Sequence, residues 1–158
     1  MENLEYALQI ENLTKSYGNI HAVNGISFNV KKGSLFAFLG VNGAGKSTTI
    51  NIICSILDKD SGKIYVGGND LDEHPQEIKR NIGIVFQTSV LDKELPVLQN
   101  LEIRTAFYGL GKQEKKDNIR NIIELLELEP ILKRPVKNLS GGQMRRVDIA
   151  RAMVHRPK

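Results

Sequence analysis

The stretch "GVNGAGKST" at residues 40–48 constrains this chain more than any other. It satisfies the pattern G-x-x-x-x-G-K-[ST], in which glycines let successive backbone N–H groups turn toward one phosphate. The pattern belongs between a strand that delivers the chain and a helix whose N-terminus adds its positive dipole end. The apolar run "LFAFLG" precedes it, and a helix is predicted from Gly45 to Leu57, ended by the turn-rich "DKDSG". Gly40, Asn42, Gly43, Ala44 and Gly45 make the expected cradle, and Lys46 would reach the β and γ phosphates. Ser47 and Thr48 open the helix, the Ser47 hydroxyl being suited to Mg²⁺. A flexible glycine turn beside a solvated lysine is the plainer explanation; the strand-to-helix setting argues against it.

The surrounding pattern supplies that setting. In "ISFNV" the residues Ile26, Phe28 and Val30 alternate with polar ones, as on a half-exposed strand. The runs "LFAFL" and "IGIVF" are continuously apolar, as in strands buried on both faces. "KIYVGG" returns as a strand after the turn, and Pro75 opens a short helix in "PQEIKRN". From about Val97 the character changes. "VLQNLEIRTAFYG" is helical, and so is "EKKDNIRNIIELLELEP", with Ile119, Ile122, Ile123 and Leu126 on one face. An α/β chain is expected: a strand-rich core over about 1–87, an α-helical insert over about 88–138, and a further motif with its helix over 139–158.

Composition narrows the class. With 158 residues the chain is about one domain long. Lys and Arg exceed Asp and Glu by 4, but they are interleaved with acids, as in "GKQEKKDNIR", so a solvated surface is expected rather than a nucleic-acid patch. No apolar run approaches the roughly 18 residues of a membrane span, and "MENLEYALQ" lacks a signal-peptide pattern, so a cytosolic chain is expected. Cys54 is the single cysteine, which rules out an intrachain disulfide and suits a small core residue. His21, His74 and His155 are far apart and show no metal-ligand spacing.

A second motif, "NLSGGQMRR" at residues 138–146, adds chemistry. Ser140 and Gln143 have the spacing of a capping box, which alone marks only a well-started helix. Gly141 and Gly142 change that reading, because each glycine in a first helical turn costs roughly 1 kcal/mol against alanine. Close approach of a bulky anion to bare N–H groups is a reason for both.

"GVNGAGKST" and "LSGGQ" together resemble the ATP-binding cassette of ABC transporters, and the likeness covers nearly the whole chain. The resemblance implies an incomplete P-loop NTPase fold with a β-rich ATP-binding subdomain and an inserted helical one. It implies ATP and Mg²⁺ as ligands. It also implies a head-to-tail pair, in which Ser140, Gly141, Gly142 and Gln143 close over the γ-phosphate held by Gly40 to Thr48 of a second cassette. Tyr17 matches the aromatic that stacks on adenine, and Val23 the residue beside the ribose. Gln87 matches a glutamine that touches Mg²⁺ and reports nucleotide state. The helical region is expected to receive a transmembrane permease, which places the chain on the cytoplasmic face of the cell membrane. Within the family, "LQNLEIRTAFYGL" is most similar to bacterial multidrug or antibiotic exporters. Val41 stands where a proline is common, and Met144 where a charged residue is usual; neither removes a phosphate ligand.

Hydrolysis in this family needs an aspartate at the tip of another buried strand and a glutamate beside it. "SILD" and "SVLD" end in Asp58 and Asp92, but neither is predicted on a strand beside the loop, so the catalytic acids are not assigned. The family pattern places that strand after "HRPK", and the chain is expected to stop short of it and to be inactive alone. A soluble ABC-type ATPase of translation or DNA repair is the alternative, which the short 88–138 connection disfavours. A nucleotide-binding piece without hydrolysis is the other.

Overall fold

A computed structural model describes residues 5–158. The first four residues, part of the stretch read as lacking a signal-peptide pattern, lie outside the described residues. The chain divides into two compact units, Met1–Lys79 and Arg80–Lys158.

The first unit is built on an antiparallel sheet of order β2-β1-β3-β4, with strands β1 (Tyr6–Tyr17), β2 (Ile20–Lys31), β3 (Ser61–Val66) and β4 (Asn69–Asp70). A two-residue turn, entered at Gly18 with φ 56°, joins β1 to β2. In β2 the predicted alternation is present: Ile26, Phe28 and Val30 are half-buried while Ser27 and Asn29 are exposed. Central strands shed the most water, and Ile10 and Leu13 of β1 with Ile64 of β3 are buried. Helix α1 (Lys46–Ile53) buries Thr49 and Ile52. It is shorter than the expected Gly45–Leu57, because Ser55 takes a left-handed φ of 53° and the N–H groups of Ile56 and Leu57 both turn back to the Asn51 carbonyl. Cys54 is buried, and Pro75 opens α2 (Pro75–Asn81) as expected.

Two expected strands do not form. The runs at 35–39 and 82–86 have no regular secondary structure and no ladder partner among the described residues. A strand is a property of a pair, since its N–H and C=O groups need a neighbour's, and apolar character alone cannot supply one. Residues 35–39 are not buried on both faces either. Phe36 and Phe38 stack on Phe28 of β2, with ring centroids 5.2 and 5.4 Å away, while Leu35 and Leu39 on the opposite face are 102% and 87% exposed.

The second unit is helical. Helices α3 (Val97–Ala106), α4 (Lys112–Leu125) and α5 (Gly141–Met153) enclose a core that includes Val97, Leu101, Ile122, Ile123, Leu128 and Val147. Ile119 and Leu126 pack against it, so all four residues of the predicted α4 face point inward. The buried Asn100 amide accepts from the Asp92 N–H and donates to the Asp92 and Pro96 carbonyls, which fixes the turn leading into α3. No helix among the described residues is long and apolar enough to cross a membrane.

Candidate nucleotide-binding site

The phosphate-loop sequence folds as its chemistry requires, although an irregular segment rather than a strand leads into it. The Ala44 N–H bonds to the Val41 carbonyl and closes a turn, and Gly45 precedes α1 with φ 78°. Lys46 is the first helical residue. Its Nζ folds back over the loop and donates to the carbonyls of Gly40 and Val41, each at 2.6 Å. The Thr49 hydroxyl and N–H both reach the Gly45 carbonyl at 2.9 Å, so the start of the helix is held twice. Behind the loop lie Ala22 and Val23 of β2, whose atoms fill the space beside Gly45. Val23 is buried by this packing, while Asn42, Gly43, Ala44 and Ser47 are exposed and Thr48 is half-buried. Residues 40–48 contain no acid, and neither does the first turn of α1. The local field is that of one ammonium and a helix N-terminus, which suits an anion.

Tyr17 ends β1 with its ring half exposed. Sequence reasoning missed Lys15, whose ammonium lies 5.9 Å from the Tyr17 ring centroid and 2.8 Å from Asp60. Asp60 also accepts the Ser16 N–H at 2.6 Å. The bond from Lys15, followed by that from Ser16, holds the Asp60 carboxyl below its ordinary pKa, and Asp60 in turn raises Lys15. These groups tie the strand end beside the aromatic ring. The available signal for Lys15 is its strand position two residues before Tyr17, which sets both side chains on one face.

In the second unit, Ser140 caps α5. Its Oγ accepts the Gln143 N–H at 3.2 Å, and the Gln143 side-chain oxygen accepts the Ser140 N–H at 3.0 Å. Gly141 and Gly142 are exposed, and a β-carbon on either would meet nothing within 4 Å. Nothing in the packing of the described residues therefore calls for glycine there. Gln87 is exposed in a bend after the 82–86 segment, and the Phe86 carbonyl just before it accepts from Arg145 of α5 at 2.6 Å. The phosphate loop is thus packed on Val23 in one unit, and in the other Gln87 follows Phe86, which bonds to the helix that Ser140 caps.

The sequence model described as "ABC transporter" matches residues 23–158. This chain belongs to that family. It is 41% identical over 151 residues to the linearmycin resistance ATP-binding protein LnrL of Bacillus subtilis, covering 96% of this chain and 49% of that protein. It is also 34% identical over 151 residues to the maltose/maltodextrin import ATP-binding protein MalK of Mannheimia succiniciproducens, covering 96% of this chain and 40% of that one. The chain thus spans about half the length of the curated relatives it matches, and those relatives serve both import and export. Among solved structures, cbiO1 of Clostridium perfringens, part of the ABC transporter complex cbiONQ, superposes with a TM-score of 0.87 at 32% identity, covering 98% of this chain and 63% of that one. The ADP conformation of the ATP-binding cassette MJ1267 gives 0.83 at 34% identity, with 97% and 66% covered. The fold is that of the P-loop NTPase cassettes.

Proposed function

We propose that this chain is the ATP-binding part of a membrane transporter, holding Mg-ATP on Gly40 to Thr48. It would act paired head to tail with a second cassette and docked on a transmembrane permease at the inner face of the cell membrane. The observation that carries the reading is the Lys46 ammonium held over the Gly40 and Val41 carbonyls, in a loop with no acid. The lysine is already ordered where the loop converges, so phosphate oxygens can replace two main-chain acceptors without ordering a long side chain afresh.

Each remaining residue has a task suited to its surroundings. The exposed Ser47 hydroxyl and Gln87 amide are offered as Mg²⁺ ligands, and the half-exposed Tyr17 ring as a platform for adenine, with buried Val23 backing the loop. Gly141 and Gly142 leave the N-terminus of α5 bare for a partner's γ-phosphate. When bound, Mg-ATP would supply the phosphoryl group whose transfer drives transport in the assembled protein. We favour export, because the linearmycin resistance protein stands at 41% identity while the named import proteins stand at 34 to 36%.

Calorimetric titration of the chain with Mg-ATP and with AMP tests the core of this reading. Binding of ATP but not AMP is expected. Absence of ATP binding by folded protein would overturn it.

A further inference from the structure

The segment that carries Gln87 has no strand partner among the described residues, yet it is not left to itself. It is laid along α5. The Ile82 carbonyl meets His155 Nε2 at 3.2 Å, and Gly83 lies against the Ala152 carbonyl so closely that a side chain there would collide with it. The Phe86 carbonyl accepts from Arg145 at 2.6 Å, and the Ser89 hydroxyl donates to Asp148 Oδ1 at 2.9 Å. The last two bonds bracket Gln87 on either side.

We propose that Arg145 and Asp148 form a two-point clamp through which α5 positions Gln87. The inference rests on the reading of Gln87 as a Mg²⁺ ligand. The two clamp residues are three apart on the helix and so share a face. Asp148 is buried, 7% exposed, between Val147 and Ala150 on the packed side of α5. A carboxylate there is costly unless it is hydrogen-bonded, and Ser89 supplies the bond. Ser89 Oγ also accepts the Leu91 N–H at 3.4 Å, so the same hydroxyl ties the chain just beyond the bracket. Arg145 leaves α5 one turn after the Ser140 cap. One helix therefore carries both the Ser140–Gln143 cap and the hold on the residues either side of Gln87, and any displacement of α5 passes to that segment through two bonds. Arg145 and Asp148 are positioning residues in this scheme, acting through Gln87.

Amide hydrogen exchange on the chain tests the clamp itself. The double variant Arg145→Met with Asp148→Ala should raise exchange of the Leu91 amide, whose N–H Ser89 Oγ accepts, by about 10-fold or more, while α5 amides at 147–150 keep the parent rates. Arg145→Lys and Asp148→Asn each keep a donor or an acceptor and should retain protection. Unchanged exchange in the double variant, or loss of protection in the conservative pair, overturns the clamp. A second measurement reads the positioning role: Mn²⁺ affinity in the presence of ADP, by electron paramagnetic resonance. Arg145→Met should weaken Mn²⁺ by about 10-fold in the parent and by nothing further in a Gln87→Ala background. Equal weakening in both backgrounds overturns positioning through Gln87. If Gln87→Ala alone leaves Mn²⁺ affinity unchanged, the metal-ligand reading of Gln87 fails and with it the positioning role, while hydrogen exchange still decides, separately, whether the clamp exists.

Discussion

The carbonyl oxygen of Ala22 occupies the space in which a side chain on Gly45 would begin. A β-carbon there would overlap that oxygen and crowd Val23 Cγ2, and Gly45 also has a left-handed φ of 78°. Gly43 shares the left-handed backbone, at φ 86°, but has nothing within 4 Å of the corresponding position. Gly43→Ala should therefore lose only the conformational strain, about 1–2 kcal/mol. Gly45→Ala should lose more, because β2 and the loop must also separate. Urea midpoints of the two variants make the comparison, and equal losses would show that β2 yields freely.

Lys46 also ties the loop itself, through its bonds to Gly40 and Val41. Lys46→Ala should abolish detectable ATP binding by calorimetry, since it removes the only cation between residues 40 and 48. The same variant should show faster amide exchange at residues 41–44, because the loop loses its internal tie. ATP affinity equal to the parent's would remove Lys46 from the site.

How much of this was legible in the sequence depends on the range of the forces involved. The α4 face, the Pro75 start and the Ser140–Gln143 box are decided within one or two turns of chain, and their spacing declared them. The glycine-rich loop was legible for the same reason. Residues 35–39 and 82–86 were not, because a strand needs partners that apolar character does not name. The Arg145 and Asp148 bonds link positions 59 apart in sequence and carry no periodic signature. One hint existed: an acid at 148, amid Val147, Ile149 and Ala150, asks for a buried partner.

The signature helix separates folding from function. Ser140→Ala removes the oxygen that accepts the Gln143 N–H and should cost about 1 kcal/mol in urea denaturation. Gly141→Asp has room for its side chain and adds an acid where a helix N-terminus favours one, so stability should hold or rise slightly. That carboxylate would face the phosphate of a partner's ATP. On the head-to-tail pairing proposed above, ATP-dependent dimers should then fail to form while binding to the variant's own loop persists. Sedimentation showing ATP-dependent dimers of Gly141→Asp would sink the trans contact.

His155 should make the second unit sensitive to mild acid. Its ring stacks on Tyr108 with centroids 3.9 Å apart and planes within 3°, and Arg104 lies over the Tyr108 ring at 4.9 Å. Burial, reinforced by the Arg104 charge and partly offset by the Ile82 carbonyl, pushes the imidazole below its ordinary pKa of 6.5. The buried Nδ1 has no partner among the described residues, so a second proton there would lack an acceptor. Between the lowered folded value and 6.5 the unfolded chain binds the proton more readily, so stability rises with pH in that window. The contribution is complete above pH 6.5 and is lost as the pH falls through the window. Urea unfolding between pH 7.5 and 5.5, where carboxylates stay largely ionised, should show a slope bounded by about 1.4 kcal/mol per pH unit for one proton. His155→Gln can still donate to Ile82 but does not titrate, and it should flatten that slope whatever it does to absolute stability. An unchanged slope in the variant would move the acid sensitivity to another group.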